Sequence, residues 1–243
     1  MRNRKEILVV IPAYNEYRAI GEVVDRVKAC LSEADILVVN DGSSDDTAGI
    51  ARQAGARVIS LLFNMGYGVA LQTGYKYARE KGYNYILQLD ADGQHEPTFL
   101  KSILRELETG PADVVIGSRY LREESYRSSF ARRQGVKLFA KLTSIIIKQK
   151  ISDPTSGFQG FRKPVLNFLV SDYFPVDYPD ADFIIMLHKC GFKIKEIPVI
   201  MKAGSGKSMH SGVKPLYYIF KMILSILVTL LRKHPQPGGR RWT

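Results

Sequence analysis

The stretch Ile7-Leu-Val-Val-Ile11, followed at once by Pro12-Ala-Tyr14-Asn15-Glu16, decides how the chain folds. A continuous apolar run of strand length that ends in polar, turn-forming residues is typical of a β-strand buried on both faces. After Glu16 the apolar residues recur with helical spacing as far as Leu31. The pattern therefore predicts a strand, a polar loop and an amphipathic helix that packs back against the sheet.

The same unit repeats through the first half of the chain. Apolar runs predict further strands at residues 36–39, 58–61, 85–90 and 113–117, and helical periods separate most of them. This alternation implies an α/β fold in which helices flank a mostly parallel central sheet. Ligands of such sheets bind beyond the carboxyl ends of the strands. We therefore expect the polar residues that follow each strand to converge at one edge.

The composition is that of a globular protein with an anionic partner. Of the 243 residues, 45% are hydrophobic and 24% are charged, which excludes a disordered or fibrous chain. The 35 basic and 24 acidic residues give a net charge of +11, which favours phosphorylated small molecules, acidic membrane surfaces or nucleic acid. Cys30 and Cys190 have no metal-ligand or disulfide spacing, and the N-terminus does not resemble a signal peptide. We expect a cytoplasmic protein.

The segment Leu87-Gln-Leu-Asp90-Ala-Asp92-Gly-Gln94-His95 carries the clearest chemical signal. Carboxylates at positions i and i+2 after a buried strand can reach one divalent cation, and open oxygen coordination suits Mg²⁺ or Mn²⁺. Such a cation neutralises charge that builds on a leaving diphosphate. An isolated Asp-x-Asp is more often a solvated turn. Here, however, Asp41-Gly-Ser-Ser-Asp45 and Asn64-Met-Gly66 also follow strands, and the glycine lets backbone approach a phosphate.

Taken in this order, these segments resemble the family 2 glycosyltransferases, whose nucleotide-sugar domain has the GT-A fold with a Rossmann-like nucleotide-binding half. The resemblance implies a metal-dependent, inverting hexosyltransferase that uses a GDP- or UDP-sugar. It also implies roles for individual residues. The nucleotide-sugar-binding residues would be Pro12, Tyr14, Asn15, Glu16, Asp41, Asn64, Gly66, Asp90, Ala91 and Lys207, the ligands of Mg²⁺ or Mn²⁺ would be Asp92 and Gln94, and the catalytic residues would be Asp90, Asp92, Asp180 and Asp182.

Motifs in the second half of the sequence resemble one branch of this family. Gly117-Ser-Arg119-Tyr and Ile151-Ser-Asp-Pro-Thr-Ser-Gly-Phe158 look like the dolichyl-phosphate mannose synthase branch and its bacterial polyprenyl-phosphate relatives. In that branch arginines hold a lipid monophosphate, and the planar guanidinium suits this because it binds phosphate bidentately. The acceptor-phosphate-binding residues would be Arg119, either Arg132 or Arg133, and Ser156; for a single arginine, an exposed helix charge is the alternative.

The acceptor decides whether a general base is needed. A phosphate is already an anionic nucleophile, whereas a hydroxyl would have to lose its proton to a carboxylate. Asp180 and Asp182 occupy the place where the family puts such a residue, although helix capping is the alternative role. In the later segment Gly204-Ser-Gly-Lys207-Ser208, Lys207 would contact phosphate, with His210 as a further phosphate or metal contact.

The tail has a separate pattern. Residues 216–231 are apolar except for Lys221, Ser225 and Thr229, which lie four apart and would form a narrow polar stripe on a helix. This run is shorter than the roughly 20 residues of a membrane span. Two alternatives therefore stay open: an amphipathic helix in a membrane interface, or a helix that packs in the core or against another subunit.

These expectations define the organisation of the chain. Residues 1–212 would form one GT-A catalytic domain, with a donor half at 1–118 and an acceptor half at 119–212. Residues 213–234 would form the amphipathic helix, peripheral on the cytoplasmic face of a membrane, and residues 235–243 a disordered tail. The expected partners are a GDP- or UDP-hexose and a polyprenyl phosphate, without nucleic acid.

Three alternative functions remain. The first is a family 2 enzyme with a hydroxyl acceptor in polysaccharide or cell-envelope glycan synthesis. The second is a sugar nucleotidyltransferase, which should have a Gly-rich basic loop where this chain has Pro12-Ala-Tyr14-Asn15-Glu16. The third is a non-catalytic module that binds nucleic acid, for which the sequence has no recognisable reading motif.

Overall fold

The computed structural model describes residues 6–121, 130–175, 177, 179–202 and 214–232, with the side chains of 130–132 and 214–218 left out. The strands are β1 (Ile7–Ala13), β2 (Asp35–Asn40), β3 (Arg57–Ser60), β4 (Tyr85–Gln88), β5 (Val114–Ser118), β6 (Gln159–Arg162) and β7 (Ile194–Pro198). The helices are α1 (Ile20–Cys30), α2 (Thr47–Gln53), α3 (Tyr67–Lys81), α4 (Phe99–Thr109), α5 (Phe130–Ile147), α6 (Leu166–Leu169), α7 (Ala181–Lys189) and α8 (Lys214–Leu231).

The strands form one sheet in the order β3-β2-β1-β4-β6-β5-β7. The pairs β3-β2, β2-β1, β1-β4 and β5-β7 are parallel, and β6 runs antiparallel to both of its neighbours. The predicted α/β fold with a mostly parallel sheet is therefore confirmed. The fourth strand ends at Gln88, two residues earlier than predicted, so Asp90 already lies in the loop beyond the sheet.

Alternate residues of β1 pack into two separate cores. Leu8 and Val10 face the helices α3, α5, α6 and α7, whereas Val9 and Ile11 face α1 and α4. All four side chains are at most 1% exposed. The apolar run is continuous because helices cover the strand on both sides.

Helix α3 lies unusually close to β1 at Gly74. A methyl carbon added at this glycine would lie 2.4 Å from Cγ1 of Val10. Because Val10 is completely buried, it has no free space to move into. The glycine therefore sets how closely α3 approaches the sheet.

We expect Gly74→Ala to lower the free energy of unfolding by up to about 2 kcal/mol. Overpacking costs about 1–3 kcal/mol, which exceeds the roughly 1 kcal/mol that alanine gains in helix propensity. Gly135→Ala on α5 is the control, because no atom lies within 4 Å of the added carbon. Urea unfolding of both variants measures the effect, and a stabilised Gly74→Ala protein would contradict this account of α3.

Helix α8 packs with its polar stripe toward the protein. The Lys221 ammonium pairs with Asp177 at 2.6 Å, and the Ser225 hydroxyl donates to Oδ2 of Asp182 at 2.5 Å. Thr229 is buried as well. The outward face is apolar and is formed by Phe220, Ile223, Leu224, Leu227, Val228 and Leu231, which are 40–86% exposed.

The predicted stripe therefore exists, and it faces the protein. No helix in the described ranges has the length and apolar character that crossing a membrane requires.

Candidate active site

The loops that follow β1 and β2 are joined by hydrogen bonds. The backbone N–H of Asn15 donates to Ser43 Oγ at 2.9 Å, and Asn15 Oδ1 accepts the N–H of Ser44 at 2.9 Å. The N–H of Glu16 donates to Thr47 Oγ1 at 2.8 Å. Asn15 has φ = 56°, a left-handed conformation that asparagine tolerates better than most residues. Two segments that the sequence predicts for the donor site are thus held together.

Two more residues predicted for the donor site lie on β1 and its loop. Pro12 is buried within β1. Tyr14 is 48% exposed at the carboxyl edge of the sheet. Its ring is available for stacking against a planar ligand.

Asp41, at the end of β2, holds the loop that precedes α3. Its Oδ1 accepts the N–H of Met65 at 2.7 Å, and its Oδ2 accepts the N–H of Gly66 at 2.9 Å. The carboxylate is 3% exposed. Asn64 is exposed on the same loop. A direct contact between Asp41 and a nucleoside stays a prediction, because both carboxylate oxygens already accept backbone hydrogen bonds that the sequence did not reveal.

Four carboxylates converge where the loops after β1, β2 and β4 meet. The pKa of Glu16 is raised by burial and then by the negative charges of Asp92, Asp45 and Asp90. The pKa of Asp92 is raised first by desolvation from the surrounding protein and then by the charge of Asp90, although part of the residue is exposed. These mutual effects require the carboxylates to be close neighbours.

Asp92 and Gln94 lie side by side. The backbone N–H and the side-chain amide of Gln94 both donate to the Asp92 carboxylate. Ala91 between the two aspartates is buried. Rotation of the Gln94 amide would turn its oxygen toward the same point, since the two ends of an amide differ little in shape. The pair offers two hard oxygen ligands.

Across the described ranges, no three His, Cys, Asp or Glu side chains are arranged to hold a metal ion by themselves. A cation at Asp92 and Gln94 would therefore keep open positions for substrate oxygens, which is how Mg²⁺ commonly binds in phosphate-transfer sites. The oxygen ligands of Asp92 and Gln94 therefore fit Mg²⁺ or Mn²⁺.

His95 orders the backbone beside Asp90. Its Nδ1 accepts the N–H of Asp90 at 3.0 Å, and its ring stacks on Phe158 with 4.8 Å between ring centroids. Burial lowers the pKa of His95. The imidazole is thus neutral, with its proton on Nε2. His95 was not among the residues predicted for the site.

Residues 119–212, the predicted acceptor half, contain a buried ion pair. Nε and Nη2 of Arg119 donate to the two carboxylate oxygens of Asp153, each at 2.6 Å, and the Arg119 N–H donates to Oδ2 at 3.0 Å. Arg119 is 4% exposed and Asp153 is completely buried. Arg119 is therefore not an exposed helix charge. A contact between Arg119 and an acceptor phosphate stays a prediction.

Other residues fasten the loop that contains Asp153. Glu196 on β7 accepts hydrogen bonds from the N–H groups of Ser152 and Asp153, each at 2.8 Å, and burial raises its pKa. The Ser156 hydroxyl donates to the Gly117 carbonyl at 2.6 Å. The hydroxyl proton of Ser156, which was predicted to bind phosphate, is thus already donated to a backbone carbonyl. Glu196 was missed because nothing near it in the sequence indicates its partners.

The two aspartates near α7 differ in accessibility. Asp182 is 2% exposed, accepts the hydrogen bond of Ser225 and has a pKa raised by burial. Asp180 is partly exposed and immediately precedes α7, where its side chain makes no capping hydrogen bond. Of the two, Asp180 is the more accessible candidate for contact with an acceptor.

The remaining predicted residues add less. Arg133 is exposed on α5, and the side chain of Arg132 lies outside the described residues. Lys207, His210 and the tail 235–243 also lie outside the described residues.

The motif order is that of a known family: residues 8–169 match the sequence model of Glycosyl transferase family 2. The chain belongs to glycosyl transferase family 2.

Relatives of this family 2 protein act on lipid phosphates. A polyprenol monophosphomannose synthase of Mycolicibacterium smegmatis is 31% identical over 234 residues, which cover 91% of this chain and 87% of the relative. The UDP-N-acetylglucosamine–dolichyl-phosphate N-acetylglucosaminyltransferase of Methanococcus voltae is 27% identical over 214 residues, which cover 80% and 85%.

The fold is also that of a solved structure. Glucosyl-3-phosphoglycerate synthase from Mycobacterium tuberculosis, in complex with Mn²⁺, UDP-glucose and phosphoglyceric acid, superposes with a TM-score of 0.73 at 21% identity, covering 94% of this chain and 81% of that chain. This likeness confirms the GT-A fold that the sequence resemblance implied.

The repulsion between the carboxylates leads to a pH-dependent prediction for this family 2 site. The folded-state pKa values of Glu16 and Asp92 are raised. Stability associated with these groups is therefore fully present below their unfolded pKa values and is lost as the pH rises through the folded values. In chelator, we expect Asp92→Asn to unfold at a higher temperature than the unaltered protein at about pH 7.5, and at the same temperature below about pH 4.

Thermal unfolding across a pH series tests this expectation. Asp46→Asn is the control, because Asp46 is exposed and contributes to the raised pKa of neither group. A lower melting temperature for Asp92→Asn at neutral pH would show that the carboxylates do not repel one another.

Proposed function

We propose that this protein transfers a hexose from a GDP- or UDP-sugar to a polyprenyl phosphate, with inversion at the anomeric carbon and with Mg²⁺ or Mn²⁺. The observation that carries the proposal is the convergence of Glu16, Asp45, Asp90 and Asp92 at the carboxyl edge of the sheet. The clustered carboxylates favour a bound cation, whose charge a diphosphate can also coordinate. The net charge of +11 over the whole chain favours an anionic ligand such as a diphosphate.

The donor side is proposed to work as follows. Asp92 and Gln94 would hold the cation, and the bound cation would supply positive charge against the departing nucleoside diphosphate. Tyr14, exposed beside the loop of Glu16, stacks on the base. The loop 64–66, held by Asp41, places backbone and the N-terminus of α3 near the phosphates.

The acceptor assignment is supported by the names of the relatives, which specify polyprenol and dolichyl phosphates. Those relatives transfer mannose and N-acetylglucosamine, so their likeness leaves the sugar open. An acceptor phosphate is an anion near neutral pH and attacks without a strong general base. Arg133 on α5 is the exposed candidate to hold it, and Arg119 would support the acceptor loop through Asp153.

A second candidate is transfer to a hydroxyl of a glycan. It is favoured by one observation, the partial exposure of Asp180 at the start of α7. A carboxylate there could accept the proton of a hydroxyl acceptor.

Sugar transfer from radiolabelled GDP- and UDP-hexoses, with polyprenyl phosphate and Mn²⁺ or Mg²⁺, tests the proposal. We expect metal-dependent label in the lipid fraction and a loss of at least about 100-fold in Asp92→Asn, because electrostatic stabilisation of developing charge is lost. Asp46→Asn, outside the cluster, is expected to retain activity.

The outcomes separate the two acceptors. Label in a glycan fraction, abolished by Asp180→Asn, would replace the lipid phosphate by a hydroxyl acceptor. If neither fraction is labelled and no donor is hydrolysed, the transferase proposal fails.

We further propose that the outward face of α8 lies in the interface of an anionic membrane, where the lipid acceptor resides. The polar stripe of the helix is already satisfied by Asp177 and Asp182, so the apolar side chains are the part left to be covered. Arg232 follows the helix directly, and the chain has a net charge of +11. Apolar area combined with basic charge is typical of interfacial helices.

We expect Leu224→Asp combined with Leu227→Asp to reduce binding to phosphatidylglycerol vesicles by more than about 10-fold. Each fully buried leucine contributes about 1.5–3 kcal/mol, and an aspartate is repelled by anionic lipid. Leu62→Asp is the control, because Leu62 is more exposed but lies after β3. Cosedimentation measures binding. Unchanged binding would reject the membrane role, and a dimer that the double substitution dissociates would make this face a subunit contact.

A further inference from the structure

Asp90 lies at the end of a buried chain of hydrogen bonds. The Tyr75 hydroxyl donates to Oε1 of Gln88, Nε2 of Gln88 donates to the Tyr67 hydroxyl at 3.2 Å, and that hydroxyl donates to Oδ1 of Asp90 at 2.8 Å. Tyr75 and Gln88 are 1% and 2% exposed. None of the three residues that lead to Asp90 in this chain was predicted as a site residue.

The direction of this chain is fixed by its chemistry. Because the Tyr67 oxygen accepts the amide proton of Gln88, its own proton is left for Asp90. Burial, followed by the charge of Asp90, raises the pKa of Tyr67 far above its usual value. The phenol therefore stays protonated and donates at any physiological pH.

Gly157 lies beside the hydrogen bond between Tyr67 and Asp90. A methyl carbon added there would lie 2.8 Å from the Tyr67 hydroxyl and 2.9 and 3.0 Å from the two carboxylate oxygens of Asp90. These distances are shorter than ordinary contacts of a carbon atom, so Asp90 or Tyr67 would have to move. The space beside this hydrogen bond therefore admits a glycine but no larger residue without a shift.

Tyr67 also connects two parts of the donor site. It is the first residue of α3 and directly follows Gly66, whose N–H donates to Asp41. The same residue therefore continues the loop proposed to cradle the diphosphate and holds a carboxylate of the Asp90–Asp92 pair. A shift of one part would move the other.

We propose that Tyr67 is a positioning residue, which together with Gly157 fixes the Asp90 carboxylate for sugar transfer. This inference rests on the proposed function, since it assigns Asp90 a place in that reaction. Tyr67 itself touches neither cation nor substrate in this scheme. Its effect passes through the orientation of Asp90.

Tyr67→Phe removes only the hydroxyl that donates to Asp90. We expect kcat to fall about 10- to 100-fold, as misplacement of a reacting group commonly does, while KM for the lipid acceptor changes little. The melting temperature should fall only modestly, because Nε2 of the buried Gln88 loses its acceptor. Calorimetric titration with Mn²⁺ and a nucleoside diphosphate should show weaker binding. Tyr77→Phe is the matched control, because it lies on the same helix and its buried hydroxyl makes no hydrogen bond to the described residues.

Gly157→Ala tests the same proposal by crowding the hydrogen bond between Tyr67 and Asp90. The added methyl group should lower kcat by a similar factor, whereas Gly135→Ala, with open space around the added carbon, should not. Crystal structures of Tyr67→Phe and of the unaltered protein then show whether Asp90 has changed its rotamer.

The readouts distinguish failure of this inference from failure of the proposed function. If the unaltered protein transfers no sugar, the function fails, and the crystal structures still decide whether Tyr67 positions Asp90. An unmoved Asp90 in Tyr67→Phe would overturn the inference. Equal losses of kcat and melting temperature in Tyr67→Phe and Tyr77→Phe would likewise reduce Tyr67 to a packing residue.

Discussion

Parallel hydrogen bonding of β1 between β2 and β4 is the constraint on which the site depends. The register pairs Ala13 with Asn40 and Val10 with Gln88, so these three strands end within a few residues of one another. A polar loop follows each of the three strands at the same edge of the sheet. Because β1 is buried on both faces, its register cannot slip without moving apolar side chains between the two cores.

This convergence forces like charges together. Burial, followed by the negative charges of neighbouring aspartates, raises the pKa values of Glu16 and Asp92. Perturbed carboxylates of this kind are common at functional sites, where a bound cation or substrate offsets the repulsion. Hydrogen bonds join these loops: the backbone N–H groups of Asn15 and Glu16 bind Ser43 and Thr47, and the Asp41 carboxylate binds the N–H of Met65. The loops therefore do not separate to reduce the repulsion between the carboxylates.

The sequence predicts those parts of the structure that depend on local patterns. Strands β1, β2 and β5 were found because an apolar run indicates burial on both faces, and the loops were found because turn-forming residues follow each run. The place of β6 between β4 and β5 could not be found in this way. Its four residues, Gln159–Arg162, carry no signal for their partners or for their antiparallel direction.

The partners of charged side chains were equally hidden. Asp41 binds backbone 24 and 25 residues away, and Arg119 pairs with Asp153 at a separation of 34 residues. Family resemblance placed these residues in the site, whereas only the structure shows that their hydrogen-bonding groups are engaged within the protein. Periodicity likewise predicted the polar stripe of α8 but not the side that it faces, since either a protein surface or water can satisfy polar groups.

The loop from Ser152 to Gly157 joins the two halves of the proposed site. Glu196 and Arg119 hold Asp153, and Ser156 binds the Gly117 carbonyl, so three contacts fix the loop to β5 and β7. The end of this rigid loop is Gly157, whose backbone lies against the Asp90 carboxylate. Buried ion pairs contribute little net stability, but breaking one leaves an unpaired charge. The Arg119–Asp153 pair is therefore best understood as fixing geometry: it helps to set how closely the loop at Gly157 approaches the Asp90 carboxylate.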